Sequence, residues 1–270
     1  MSTTAEVPAL SNSGGNVPLI ELKDVGKQYG NIIALKGINL RVGAGEVTGV
    51  LGDNGAGKST LIKIIAGLHQ QSEGELLVDG EPTTFHSPKE ALGKGIATVY
   101  QDLAVVALMP VWRNFFLGQE LRKGGLIKSL DANAMRATTL SELSKMGIEL
   151  PDVDAPIGSL SGGQRQCVAI ARAIFFGARV LILDEPTAAL GVKQSGMVLR
   201  YITAAKEQGF GVIFITHNPH HAYMVGDHFV LLNRGRQKLD AKYDDISLEE
   251  LTKEMAGGDE LETLTHELRR

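Results

Sequence analysis

Residues 52–60 read Gly52-Asp53-Asn54-Gly55-Ala56-Gly57-Lys58-Ser59-Thr60 and fit the phosphate-binding pattern G-x-x-x-x-G-K-[ST], the P-loop. Glycines at these positions let the backbone wrap closely around phosphate, so that several N–H groups point inward. A helix after the loop would add the positive end of its dipole. We expect Lys58 to reach the terminal phosphates of a nucleotide and the Ser59 hydroxyl to bind Mg²⁺. An ordinary glycine turn before a helix is the alternative, and average glycine frequencies make a chance match rare.

The segments around the P-loop alternate between strand and helix patterns. Glu46–Leu51 predicts a strand running into the loop, and Lys58–Leu68 has the apolar spacing of a helix. Further strands are predicted at Leu19–Val25, Ile32–Ala34, Ile38–Val42, Glu75–Val78, Ile96–Tyr100, Val180–Leu183, Gly211–Thr216 and Phe229–Leu232. Helices are predicted near Val192–Gln208 and over much of residues 102–178. We therefore predict an α/β fold: a P-loop core with a mainly parallel sheet, an N-terminal antiparallel β subdomain and an inserted helical subdomain.

The composition limits the classes of protein that the sequence can encode. The chain has 270 residues, 43% of them hydrophobic, so it can bury a substantial core. Its 27 basic and 31 acidic residues give a net charge of −4, which argues against a nucleic-acid partner. Cys167 is the only cysteine, so no intramolecular disulfide can form. No apolar run approaches the roughly 20 residues that span a bilayer, so at a membrane another polypeptide would have to form the channel.

The apolar strand predicted after Arg179 ends in two carboxylates, Asp184 and Glu185, an arrangement called Walker B. In P-loop enzymes the first acid holds Mg²⁺, and a neighbouring residue prepares the attacking water. We assign Asp184 to the metal and Glu185 to the general base. A solvated acidic turn before Pro186 is the alternative interpretation of the pair.

A second glycine-containing motif, Leu160-Ser161-Gly162-Gly163-Gln164, stands before the predicted helix Gln164–Phe176. Ser161 and Gln164 fit a capping box, so a well-capped helix is one interpretation. The paired glycines also expose backbone N–H groups at a positive helix end, which predicts a second anion site in the same chain.

These motifs, in this order over roughly residues 19–240, resemble those of the ABC (ATP-binding cassette) ATPase family, whose signature is LSGGQ. The resemblance implies that Tyr29 stacks on adenine and that Gln101 contacts Mg²⁺ and links to a transmembrane partner. It also implies that His217 contacts the γ-phosphate. ATP and Mg²⁺ are the implied ligands. The implied assembly is a head-to-tail dimer, in which each ATP lies between the P-loop of one copy and Ser161–Gln164 of the other.

The resemblance extends to one subgroup of importers. Gly191 stands where the family usually has Asp, and Ala188-Ala189-Leu190-Gly191-Val192 resembles carbohydrate importers of the ribose, galactose and fructose type. The single-cassette fructose-type ATPases are the most similar subgroup. An ABC exporter subunit, a soluble ABC ATPase of DNA repair or translation, and a P-loop kinase or GTPase are the alternatives. The ATPase does not touch the solute, so the sequence leaves the sugar or polyol open.

The implied partners and location follow from that subgroup. We expect transmembrane permease subunits, docked around Gln101–Phe116 including Trp112, although core packing could account for half of the apolar residues there. A periplasmic or lipid-anchored solute-binding protein would act through the permease. The expected place is the cytoplasmic face of a bacterial membrane.

Three parts are expected along the chain. Residues 1–18 have no secretory pattern and predict a disordered tail, residues 19–246 the ATPase domain, and residues 247–270 a peripheral helical tail. Three histidines in His217-Asn218-Pro219-His220-His221 raise the alternative of a metal site. We expect Pro219 to break any helical register there, and only His217 to matter.

Overall fold

The computed structural model describes residues 17–124, 129–150 and 152–257. Nearly all of the predicted tail at residues 1–18, and the chain after Gly257, lie outside these ranges.

Strands and helices alternate along most of the chain. The strands are β1 (Ile20–Tyr29), β2 (Ile32–Val42), β3 (Val47–Leu51), β4 (Glu73–Val78), β5 (Glu81–Pro82), β6 (Ile96–Val99), β7 (Val180–Asp184), β8 (Gly211–Thr216), β9 (His228–Asn233) and β10 (Arg236–Lys242). The α-helices are α1 (Lys58–Ile65), α2 (Pro88–Gly93), α3 (Val111–Phe115), α4 (Ala132–Lys145), α5 (Gly162–Phe175), α6 (Val192–Glu207), α7 (Pro219–Val225) and α8 (Leu248–Met255).

Within the described residues the strands form one sheet, in the order β5-β4-β1-β2-β10-β9-β3-β8-β7-β6. Strands β9, β3, β8, β7 and β6 are parallel, whereas β1 is antiparallel to both β2 and β4. All six residues of β8 are buried, as expected for a parallel strand covered on both faces. The predicted fold class is confirmed: a mainly parallel core with an antiparallel N-terminal part.

The inserted helices pack around an aromatic cluster. The rings of Phe115 and Phe116, at the end of α3, contact each other and the rings of Phe175 and Phe176 at the end of α5, with centroids 5.4–6.2 Å apart. Trp112 is only 5% exposed, and its indole N–H donates to Asp154 Oδ1 at 2.8 Å. The core-packing interpretation therefore holds for this aromatic part of Gln101–Phe116.

Several predicted boundaries were wrong. β2 runs unbroken from Ile32 to Val42 because β1 pairs with it along its length, where the turn residues had suggested two short strands. Pro219 separates His217, which lies outside any helix, from His220 and His221, which lie within α7, so the three histidines share no helical register. Pro219 is the first residue of α7, a position where the missing N–H costs nothing, and the Asn218 side chain caps the helix. Strand β10 was missed because its side chains alternate between exposed and half-buried.

Candidate nucleotide site

The P-loop connects the end of β3 to the start of α1, at the carboxyl edge of the parallel strands. Its last glycine, Gly57, has φ +108° and is the residue before the first helical turn. A Cβ at Gly57 would lie 2.6 Å from Leu35 Cδ2 and 3.2 Å from the Ala34 carbonyl oxygen. Glycine at this position therefore lets the loop close against β2 and start the helix at Lys58.

The Lys58 side chain is directed back into the loop. Although only 7% exposed, its ammonium donates to the Gly52 carbonyl and, at 3.1 Å, to the Asp53 carbonyl. It also lies 3.7 Å from Glu185 Oε1. The single buried cation of the loop is thus placed between the phosphate-binding backbone and the predicted base.

The ends of β7 and β8 bring the predicted catalytic residues together. Asp184 is paired with Ile215 in the sheet, and the Glu185 N–H donates to the Ile215 carbonyl at 2.9 Å. His217, two residues further on, places its Nδ1 2.9 Å from Glu185 Oε2. Glu185 therefore has Lys58 at one carboxylate oxygen and His217 at the other.

Burial raises the pKa of Asp184 above its usual range, and the charge of Glu185 raises it further, while Lys58 acts in the opposite direction. Two neighbouring, partly buried carboxylates favour a bound cation, because a cation offsets their repulsion.

One cavity of about 530 Å³ contains most of the predicted site. P-loop residues, Gln101, Asp184 and Glu185 line one part, and Ile32, Ile33 and Ala34 line another. The three predicted metal residues, Ser59, Gln101 and Asp184, thus face a common space. Hydroxyl, amide and carboxylate oxygens are the ligands that Mg²⁺ prefers, so these residues fit that ion.

The apolar end of the cavity includes two residues that belong to none of the sequence motifs. Ile32 and Ile33 are 70% and 57% exposed, which is unusual for adjacent isoleucines at the start of a strand. Tyr29 is paired with Ile32 in the sheet and is 40% exposed. The Lys27 ammonium lies 5.1 Å from the Tyr29 ring centroid. An aromatic ring beside an exposed apolar pair suits a flat base.

The motif Ser161–Gln164 does not line this cavity. It forms the start of α5, where Ser161 and Gln164 make the predicted capping box. Its glycines contact other parts of the chain: a Cβ at Gly162 would lie 2.6 Å from Leu190 Cδ2, and one at Gly163 would lie 3.2 Å from the Gln194 carbonyl oxygen. The structure therefore brings together the predicted P-loop, acidic, glutamine and histidine residues, and keeps the second anion motif apart from them.

A P-loop at the carboxyl edge of a parallel core, next to an acidic strand end and an inserted helical part, defines an ATP-binding cassette. The chain matches the ABC transporter family over residues 35–188, more than half its length, and it belongs to that family.

Among its relatives, the xylose/arabinose import ATP-binding protein of Sulfolobus acidocaldarius is 41% identical, with 88% of this chain and 93% of the relative covered. The fructose import ATP-binding protein of Rhizobium meliloti is 40% identical, with coverages of 90% and 95%. A dimeric ATP-binding cassette solved in a post-hydrolysis state with ADP and Pi matches with a TM-score of 0.68 and 28% identity. That alignment covers 83% of this chain and 98% of the solved one.

In the part of the chain that the structure describes, no helix combines the length and apolar character that crossing a bilayer needs.

Proposed function

We propose that this chain is the ATP-hydrolysing subunit that powers import of a sugar or a related polyol through a separate transmembrane permease. The observation that carries the proposal is the convergence of Lys58, Asp184, Glu185 and His217 on one site in a chain of this family. The import ATP-binding relatives, which are about 40% identical over nearly the whole chain, favour import over export.

The phosphate end of the cavity explains nucleotide binding. Backbone N–H groups of Gly52–Ser59 and the start of α1 would hold the phosphates, with Lys58 near the terminal ones. Lys58 already lies next to loop carbonyls, so it needs little movement to reach that position. Tyr29 would stack on adenine beside the exposed Ile32 and Ile33.

The acidic end supports hydrolysis. Asp184, Ser59 and Gln101 would hold Mg²⁺, which when bound neutralises charge on the phosphates. Glu185 would act as general base and orient the attacking water, because its carboxylate lies between Lys58 and His217. The His217 imidazole would then contact the γ-phosphate and hold Glu185 in place.

The separation of Ser161–Gln164 from the P-loop cavity supports a two-copy machine. The helix start of α5 would offer backbone donors to an ATP bound in a second copy. A similar chain has been solved as a dimer with ADP and Pi. Two ATP molecules would therefore lie at the interface of a head-to-tail dimer, and loss of the γ-phosphate would let it reopen.

The surface after Gln101 is suited to the permease. Leu108 is 89% exposed and Val106 46% exposed, which leaves apolar surface next to the site. An apolar groove of about 300 Å³ adjoins it and includes Tyr100 and the stretch Leu103–Val105. Docking there would place the permease in contact with a predicted Mg²⁺ residue, so that ATP binding and transport could be coupled. Trp112 belongs to the packed part and not to this surface.

A periplasmic or lipid-anchored solute-binding protein would deliver the solute to the permease, and the chain would work at the cytoplasmic face of a bacterial membrane.

The test is to purify the transmembrane partner with this chain, reconstitute both in vesicles, and measure phosphate release with candidate sugars and the solute receptor. Stimulation by a sugar on the receptor side supports import. Stimulation only by solute on the ATPase side would contradict import. Hydrolysis no faster than that of Lys58→Ala would contradict the proposal that the chain is an ATPase.

A further inference from the structure

A short segment joins the predicted base to helix α6 and contains a buried hydroxyl. Thr187 is 5% exposed, although it lies two residues after Glu185 in a connection between a strand and a helix. Its Oγ1 lies 3.0 Å from Nδ1 of His221 on α7. This contact is partly buried, since His221 is half-buried, and partial burial strengthens a hydrogen bond relative to one in solvent.

Two histidines thus hold two positions of the same segment. His217 contacts the Glu185 carboxylate, and His221 contacts the Thr187 hydroxyl. The backbone of His221 is held as well, because its N–H donates to Asn218 Oδ1 at 3.2 Å in the helix cap. Burial lowers the pKa of His221, and the neighbouring His220 and His217 lower it further, which favours the neutral form of the ring.

Thr187 sets the direction of the residues that follow it. The Ala188 N–H donates to the Glu185 carbonyl at 3.0 Å, and the Leu190 N–H donates to the Thr187 carbonyl at 3.4 Å. Ala189 has φ +57°, an uncommon value for a residue with a Cβ, and is exposed. The Thr187–His221 contact therefore lies within this turn, between its two backbone hydrogen bonds.

The far end of the segment touches the second anion motif of the same copy. The Leu190 side chain lies over Gly162, within 2.6 Å of where a Cβ would stand. Gly191, the residue before α6, provides no side-chain cap for that helix. Among the described residues, the Thr187 hydroxyl is the group between Glu185 and α6 whose side chain makes a hydrogen bond.

We propose that His221 is a positioning residue, which fixes the segment Thr187–Gly191 through its contact with Thr187. This segment connects Glu185 to the Ser161–Gln164 motif of the same copy. In the dimer, that motif faces the ATP bound by the second copy, so His221 would link the two sites. The proposal rests on the proposed two-copy ATPase. It gives a role to a second of the three histidines, where the sequence had suggested one for His217 alone.

The test removes the hydrogen bond from either side. Thr187→Val keeps the shape and loses the hydroxyl, and His221→Phe keeps a ring without a nitrogen. His221→Asn and Thr187→Ser retain a polar atom near the original one. His220→Ala removes an exposed neighbouring histidine and is the matched control. For each variant, nucleotide Kd, kcat, KM and the Hill coefficient for ATP are measured, with the melting temperature as a check of folding.

We expect Thr187→Val and His221→Phe each to lower kcat by about 3- to 10-fold, the loss of one hydrogen bond that aligns the site. The Hill coefficient should fall towards 1 while the nucleotide Kd changes little. The double variant should be no worse than either single one, because both remove the same bond. The Asn and Ser variants and His220→Ala should stay close to wild type.

A wild-type kcat and Hill coefficient in either folded single variant would overturn the proposal, as would additive losses in the double variant. A fall in melting temperature alone, with unchanged kinetics, would also overturn it by showing a merely structural role. Because Thr187→Val and His221→Phe remove the same hydrogen bond from opposite partners, the test can be made with whichever of the two variants folds. Failure of the wild-type protein to hydrolyse ATP would instead count against the proposed function.

Discussion

Replacing Gly57 by alanine should both destabilise the fold and weaken nucleotide binding. Holding alanine at φ +108° costs about 1–3 kcal/mol. The new Cβ would also lie 2.6 Å from Leu35 Cδ2 and 3.2 Å from the Ala34 carbonyl oxygen. Relieving this overlap costs about 1–3 kcal/mol more, since β2 and the helix start must move apart. Lys58 follows directly, so its ammonium would be displaced from the phosphate site.

Gly55→Ala is the matched control within the same loop. Gly55 also has a positive φ, +85°, but a Cβ there would have no described atom within 4 Å. The difference between the two variants therefore isolates the steric part of the cost. The fluorescence of Trp112, the only tryptophan, reports unfolding during heating. Gly57→Ala should melt below Gly55→Ala by about 2–4 °C for each kcal/mol of overlap. Equal melting temperatures, or a higher one for Gly57→Ala, would refute the packing argument.

Three further substitutions or treatments test other parts of the account. Gly191→Asp should fold normally, because no described atom lies within 4 Å of its new Cβ, and a cap on α6 should add a few tenths of a kcal/mol of stability; a clear drop in melting temperature would contradict this. Cys167 should resist alkylation at pH 8 until the protein unfolds, because burial raises the pKa of its thiol; rapid labelling of folded protein would show the helix packing to be wrong. Trp112→Phe should lose about 1 kcal/mol of stability with the hydrogen bond to Asp154, as measured by circular dichroism, while nucleotide affinity stays unchanged.

Some features could be predicted because local chemistry determines them. β8 was predicted with its observed bounds, because its sequence GVIFIT is short and rich in β-branched and aromatic residues, which favours a buried strand. The capping box at Ser161 and Gln164 was confirmed because it depends on residues three positions apart. Strand β10, by contrast, is rich in charged residues and half exposed, and pairing with β9 gives it its conformation.

The contacts that organise the site could not be predicted from periodicity. Lys58 and Glu185 are far apart in sequence, and their approach depends on which strands are neighbours in the sheet. The Thr187–His221 contact depends on α7 starting at Pro219, a helix that the sequence pattern did not predict. Strand order and helix starts of this kind are set by tertiary packing, which one sequence pattern does not encode.

The central claim is that Glu185 prepares water for attack on ATP held in a two-copy site. The most direct measurement compares Glu185→Gln with wild type for phosphate release and for ATP-dependent dimer formation in analytical ultracentrifugation. Loss of the base should reduce hydrolysis by about 10²- to 10⁴-fold while leaving ATP binding intact, so closed dimers should accumulate with ATP and Mg²⁺. Hydrolysis by Glu185→Gln at the wild-type rate, with no dimer formed on ATP addition, would contradict the account.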